Sequence, residues 1–127
     1  METTKNIYQL HEDHKTWLSK LVFYKDEIQI MQNRISEIAK KNTSKEVRAF
    51  VEHFQNQLIA QNEQLDILKH EINSHERSLE EKVNKKAVAN ESKKFLDHSM
   101  QRNSVEGFEK IFNGLRKELA QFLSKWM

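Results

Sequence analysis

The sequence contains no cysteine and no proline, and only two of its 127 residues are glycine. Without cysteine, the chain can form neither disulfide bonds nor thiolate metal sites. Without proline, nothing imposes a break on the interior of a long helix. Because only Gly107 and Gly114 adopt positive φ angles without strain, a β-rich fold with many tight turns is disfavoured. These absences favour long helices.

Long apolar runs and a strong excess of one charge are also missing. The run Leu21–Tyr24 is the longest apolar stretch and is far too short to cross a bilayer, and the segment Met1–Lys5 lacks the pattern of a secretory signal. The net charge is +2, with acidic and basic residues interspersed along the chain. Such a distribution is typical of a solvated surface rather than of a stripe that binds nucleic acid. We therefore expect a soluble, cytoplasmic protein without a membrane segment or a nucleic-acid partner.

Apolar residues recur at alternating spacings of three and four residues in three stretches of the chain, and we call each row a seam. A repeat of 3.5 residues is typical of helices that pack as in a left-handed coiled coil. The first seam predicts a helix from about Lys5 to about Lys41, and the second predicts a helix that ends near Asn84. The third seam runs from His98 to Trp126.

Turn signals separate these predicted helices. Asn42 suits the left-handed position at the end of a helix. The segment Thr43–Glu46 resembles a capping box, in which the Thr43 hydroxyl and the Glu46 carboxylate accept hydrogen bonds from free backbone amides. So short a connection makes the first two helices antiparallel. A second turn is expected near residues 86–90, with Asn90 as the N-cap.

A further capping signal, Asn103–Glu106, lies inside the third predicted helix. Either the third helix is kinked or split there, or the signal is overridden and the helix continues. In both cases the pattern predicts an all-α fold, an antiparallel three-helix bundle with up-down-up order. We see no linker, tandem repeat or low-complexity tract, so residues 1–127 are expected to form a single domain.

Several seam positions that should be buried carry polar side chains. Each would cost about 1–3 kcal/mol if it were buried without a hydrogen-bond partner. A register that pairs His14 with His75 also pairs the other seam residues of the first two helices. A register that pairs His75 with His98 does the same for the last two helices. The polar seam residues are His14, Gln61, His75, His98 and Gln101.

Two arrangements of the histidines remain open. In the first, His14, His75 and His98 share one layer, and three imidazoles plus water could bind zinc in an open tetrahedral site. In the second, the turn near Thr43 shifts the register by about three residues, or about 4.5 Å, and places His14 beside Ile72. The histidines are then partly solvated side chains near a bundle end. Gln61 is interpreted as a residue that specifies the alignment of the helices.

No catalytic constellation is apparent. The Glu-x-x-His pairs of carboxylate-bridged di-metal bundles do not occur in this sequence. The serines fall on polar helix faces rather than at a strained strand-to-helix turn, and there is no glycine-rich loop for phosphate. The sequence therefore indicates a protein that is not an enzyme and needs no cofactor.

Apolar residues and glycines outside the seams point to a partner. Two glycines at heptad spacing inside a helix each cost about 1 kcal/mol relative to alanine, which suggests close approach by another helix. The alternative is that the wide apolar face only closes the three-helix bundle. We interpret the pattern as a surface for a homodimer or another helical protein, with metal binding by the three histidines as the alternative function. The predicted surface residues are Phe23, Ile30, Gly107, Ile111, Gly114 and Leu123.

Overall fold

The computed structural model describes the backbone of residues 2–85 and 91–126 and the side chains of residues 8–79 and 97–126. These residues form three helices, α1 (Glu2–Lys41), α2 (Lys45–Lys85) and α3 (Glu91–Trp126), and no strand. Each helix packs against the other two. The predicted three-helix bundle is therefore confirmed. The predicted second turn with its Asn90 cap lies outside the described residues.

The seams form the core of the bundle. Each helix contributes several side chains that are almost fully buried, among them Leu21 on α1, Leu58 on α2 and Phe112 on α3, which are 0% exposed. A fully buried side chain of this kind stabilises the fold by about 1.5–3 kcal/mol. Trp126, at the end of the third seam, is only partly buried.

The connection between α1 and α2 begins as predicted, but its N-cap differs. Asn42 ends α1, and both its backbone amide and its side-chain amide donate to the Ile38 carbonyl, at 2.9 and 3.1 Å. The prediction of Thr43 as the cap was wrong, because the Val47 amide donates to the Ser44 hydroxyl at 3.3 Å. Two consecutive hydroxyl residues can both cap a helix, and here the reversal extends through Thr43, which leaves Ser44 in the capping position.

The third helix runs without interruption through the capping signal at Asn103–Glu106. The Ser104 hydroxyl donates to the Met100 carbonyl at 3.1 Å, one turn earlier in the same helix. A serine that forms this bond no longer offers its oxygen as a cap. Burial of Val105 and Phe108 in the seam keeps the segment helical.

The register between α1 and α2 pairs His14 with His75, because a ring nitrogen of each residue lies 3.1 Å from the other. The alternative register, centred on the turn, is wrong. It would have placed Trp17 opposite Lys69, which is exposed, whereas Trp17 is 7% exposed and packs in the core. Burial of the seam therefore outweighs the geometry of the short turn.

Candidate metal centre and apolar groove

Three buried histidines meet in one layer of the bundle. We call His14, His75 and His98 the histidine layer, and their side chains come from α1, α2 and α3. They are 1%, 7% and 3% exposed, and their ring centroids lie 5.0 to 5.8 Å apart. One ring nitrogen from each residue lies within 4.8 Å of the other two. The structure thus brings together all three histidines that the sequence placed in the seams.

A carboxylate orients His14 from outside the layer. The Glu76 carboxylate accepts a hydrogen bond from His14 Nδ1 at 2.7 Å. A carboxylate can only accept, so the proton of a neutral His14 ring lies on Nδ1 and its Nε2 carries a lone pair. That lone pair faces His75 Nδ1 at 3.1 Å.

Glu76 also binds His11, whose side chain is half exposed. Burial alone would raise the pKa of Glu76, but the hydrogen bonds from His14 and His11 outweigh burial and hold this pKa below its usual value. Glu76 is therefore a carboxylate at neutral pH. It carries a negative charge directly beside the histidine layer.

His98 has a matching carboxylate on α1. Its Nε2 donates to Asp13 at 2.9 Å, and Arg102 donates to the same oxygen at 2.8 Å. Burial lowers the pKa of His98 against the opposing effect of Asp13, which favours the neutral imidazole. Burial alone would raise the pKa of Asp13, but hydrogen bonds from His98 and Arg102 lower it. Asp13 is therefore ionised.

The second ring nitrogen of His98 is the most informative atom of the layer. Nδ1 is buried and has no hydrogen-bond partner among the described residues. Because Nε2 carries the proton that Asp13 accepts, Nδ1 of the neutral ring holds a lone pair inside the protein. A buried acceptor without a partner costs about 1–3 kcal/mol, so this nitrogen requires an explanation.

The layer has an aromatic wall and a path to solvent. An open groove of about 420 Å³ between α2 and α3 reaches His75 and Gln101. Glu71 and Asp97 line this groove, so its charge favours the approach of a cation. On the opposite side, the Trp17 indole stacks on the His98 ring.

The two seam glutamines are satisfied only in part. The Gln101 amide donates to the Glu71 carbonyl at 3.1 Å, which ties α3 to α2. Gln61 is 8% exposed, and its Oε1 has no hydrogen-bond partner among the described residues. Gln61 therefore carries a desolvation cost, as expected for a polar residue that specifies alignment at the expense of stability.

The glycines of α3 line a second groove. We call this space of about 700 Å³ the apolar groove, and it lies between α3 and the His53–Gln57 segment of α2. A Cβ atom added at Gly107 or Gly114 would meet nothing within 4 Å. No described part of this chain therefore makes the close approach that the two glycines suggested. Ile111, on the same face, is 58% exposed.

The predicted surface residues do not form one patch. Phe23 and Ile30 are 61% and 56% exposed on α1. They lie within one turn of Lys20 and Glu27, which pair with α3, so they are on a different face from the apolar groove. Leu123 is partly buried and packs against the core.

Sequence reasoning missed two further exposed apolar residues on the two helices that form the apolar groove. Ile67 of α2 and Met100 of α3 are 50% and 60% exposed. The available signal was their heptad spacing, because Met100 lies seven residues before Gly107 and Ile67 lies seven residues after Ala60. Small and large residues therefore follow one another along the same stripe of each helix.

No family model, curated protein or solved structure matches this chain. Among the described residues, no helix combines the length and the apolar character needed to cross a membrane.

Proposed function

We propose that this protein is a non-enzymatic helical bundle that self-associates, and that a second copy of the chain covers the apolar groove. The observation that carries the proposal is the pair of glycines that no side chain covers, in a groove lined by exposed Ile111. Exposed Ile67 lies two heptads after His53, which also lines the groove, and so belongs to the same stripe of α2. Glycine in a helix interior costs about 1 kcal/mol relative to alanine. Close packing of another helix against this stripe would offset that cost.

Charged pairs distinguish the other two interhelical boundaries. Four ion pairs cross from α1 to α3, counting that of His98 with Asp13, and they include the two-pronged contact of Arg116 with Glu27 at 2.7 and 2.5 Å. Lys25 pairs with Asp66 across α1 and α2 at 2.9 Å. Between α2 and α3, the described residues contain only the 4.0 Å contact of His53 with Glu118. Among the described residues, the boundary between α2 and α3 therefore has the fewest ion pairs.

The shape of the groove suits a two-fold dimer. The register that pairs His75 with His98 brings Ile67 to within one residue of the level of Gly107, and Ala60 to within one residue of the level of Gly114. A two-fold axis parallel to the helices would set α2 of one copy against α3 of the other at the same level. Ile67 of each copy would then pack over Gly107 of the other.

Charges on the outer flanks of the groove are complementary in the same arrangement. Glu63 of α2 and Lys110 of α3 are exposed and lie at one level of the register. The two-fold axis would bring Glu63 of each copy opposite Lys110 of the other. The interface would therefore combine an apolar centre with a charged rim, as protein interfaces commonly do.

Sedimentation velocity over a concentration series tests the proposal. A reversible dimer is expected, and Ile67→Glu or Ile111→Glu should dissociate it, because each would bury an unpaired carboxylate. Phe23→Glu on α1 is the matched control and should leave the dimer intact. A strict monomer at all concentrations would refute self-association. Dissociation by Phe23→Glu, with no effect of Ile67→Glu, would place the interface on α1 instead.

A charge exchange tests the orientation of the two copies. Glu63→Lys should weaken the dimer roughly two- to thirtyfold, because two exposed ion pairs at about 0.2–1 kcal/mol each are lost. Adding Lys110→Glu should restore the affinity. If the dissociation constant of the double variant is raised by the product of the factors measured for the two single variants, the two residues do not pair.

A further inference from the structure

We infer that His14, His75 and His98 form a binding site for one divalent transition-metal ion of the zinc class. The site lies in the core of a single chain, so the inference does not depend on self-association. It rests on the histidine layer, on the two carboxylates outside it and on the buried Nδ1 atom of His98.

The donor set is the one that zinc-class ions prefer in a protein without cysteine. Imidazole nitrogen is a ligand of intermediate softness that suits zinc, copper, nickel and cobalt, whereas magnesium and calcium favour oxygen. Three histidines leave a fourth position for water, which is the arrangement of an open tetrahedral site. Of the described histidines outside the layer, His53 and His70 are exposed on the helix surfaces, and His11 is half exposed and binds Glu76.

The distances are compatible with one shared ion. With metal–nitrogen bonds of about 2.0–2.1 Å, two ligand nitrogens on a tetrahedral ion lie about 3.3 Å apart. His14 Nε2 and His75 Nδ1 are already 3.1 Å apart, so a shared ion requires the proton of His75 to move from Nδ1 to Nε2. One ring nitrogen from each of the three residues lies within 4.8 Å of the other two. The widest pair needs to close by about 1.5 Å, which small rotations of the rings can supply.

The carboxylates supply the outer contacts that metal-binding histidines use. Glu76 holds the outer nitrogen of His14, and Asp13 holds the outer nitrogen of His98. Such contacts set the tautomer, aim the other nitrogen at the ion and increase its basicity. The two negative charges also balance the charge of a divalent ion in a largely buried site.

A merely hydrogen-bonded polar layer accounts less well for His98. In such a layer, each buried nitrogen would be expected to have a partner. The His98 Nδ1 atom has none among the described residues, although the side chain is 4% exposed. A metal ion supplies the acceptor for that lone pair.

Titration of the untagged protein with Zn²⁺ after dialysis against a chelator tests the inference. Calorimetry is expected to show one ion per chain. Co²⁺ should develop the visible absorption of a tetrahedral site and lose it when Zn²⁺ is added. His75→Leu or His98→Leu should weaken binding at least a hundredfold. Both leucine variants keep an apolar side chain in the core, and circular dichroism shows whether they fold.

Two further variants make the result specific. Glu76→Gln should weaken Zn²⁺ binding about 10- to 100-fold while all three imidazoles remain, as is typical of outer-contact mutations. His53→Ala and His70→Ala, at exposed histidines, should leave the affinity unchanged. The inference is overturned if the natural chain shows no saturable binding, or if folded His75→Leu or His98→Leu binds Zn²⁺ as tightly as the natural chain does.

Discussion

The Trp17 indole stacks on the His98 imidazole, with ring centroids 4.8 Å apart and the two planes inclined by 27°. Trp17 also contacts His14 at a centroid distance of 5.7 Å. Both histidines are in the layer, so the fluorescence of Trp17 should respond to changes in the histidine layer. The other tryptophan, Trp126, lies at the far end of the bundle, and Trp126→Phe isolates the signal of Trp17.

Replacing the whole histidine layer with leucine is expected to stabilise the metal-free bundle by about 1–4 kcal/mol. Three buried polar rings would be exchanged for apolar side chains. The carboxylates of Glu76 and Asp13, which are 16% and 29% exposed, would then be hydrated in place of their histidine contacts. Urea unfolding followed by circular dichroism measures the change. The order should reverse when Zn²⁺ reaches about a thousand times its dissociation constant, because binding then adds about 4.1 kcal/mol to the natural chain alone. An equal effect of Zn²⁺ on both proteins would contradict this prediction.

Gln61→Leu is expected to raise the free energy of unfolding by about 1–2 kcal/mol. The substitution removes a buried carbonyl oxygen that has no hydrogen-bond partner among the described residues. Gln64→Leu, at an exposed position of the same helix, is the control and should change stability by less than about 0.5 kcal/mol.

Gln61 should also influence the alignment of the helices. If this polar residue specifies the register, Gln61→Leu should produce a second set of indole N–H resonances from Trp17 in the NMR spectrum, because a slipped register moves that ring. A single set of resonances together with higher stability would show that Gln61 affects stability alone.

Tyr24→Phe is expected to cost about 1 kcal/mol at neutral pH, because the Tyr24 hydroxyl donates to Glu109 at 2.7 Å across α1 and α3. Burial, together with the nearby Glu109 carboxylate, raises the pKa of Tyr24 to about 12 from the usual tyrosine value of 10.0. Between these values the folded chain keeps a proton that the unfolded chain loses, so stability falls as pH rises.

Urea unfolding at pH values from 8 to about 11 measures this linkage. The stability difference between the natural chain and Tyr24→Phe should narrow above about pH 10, because only the natural chain loses the contribution of the Tyr24 proton. A difference that stays constant across this range would show that the Tyr24 proton is not linked to folding.

Gly107→Ala is expected to raise the stability of the dilute protein by about 0.5–1 kcal/mol. Alanine favours the helix, and a Cβ atom at this position meets nothing within 4 Å. The same substitution should weaken the proposed dimer, because the added methyl group occupies the space that Ile67 of the second copy would fill. Thermal unfolding at low concentration and sedimentation at high concentration separate the two effects. Loss of stability in the dilute protein would reveal a contact within the chain.

Local patterns predicted the helices, whereas the start of α2 and the continuity of α3 depended on packing. The spacing of apolar residues identified the three helices and the buried residues such as Leu21 and Phe112. The capping signals were less reliable, because Thr43 and Ser44 compete for one cap and Ser104 bonds within its own helix. Capping contributes about 1 kcal/mol, and burial of a seam contributes several times more.

The sequence by itself determined the three helices and which face of each helix is buried, because a 3.5-residue apolar period defines one face of a helix. The tertiary structure alone decided which residues share a level. It brought His14, His75 and His98 together, although the sequence also allowed a register shifted by about three residues. It also placed Phe23 and Ile30 on a different face from the apolar groove, because the positions of the other two helices decide which way the outer face of each helix points.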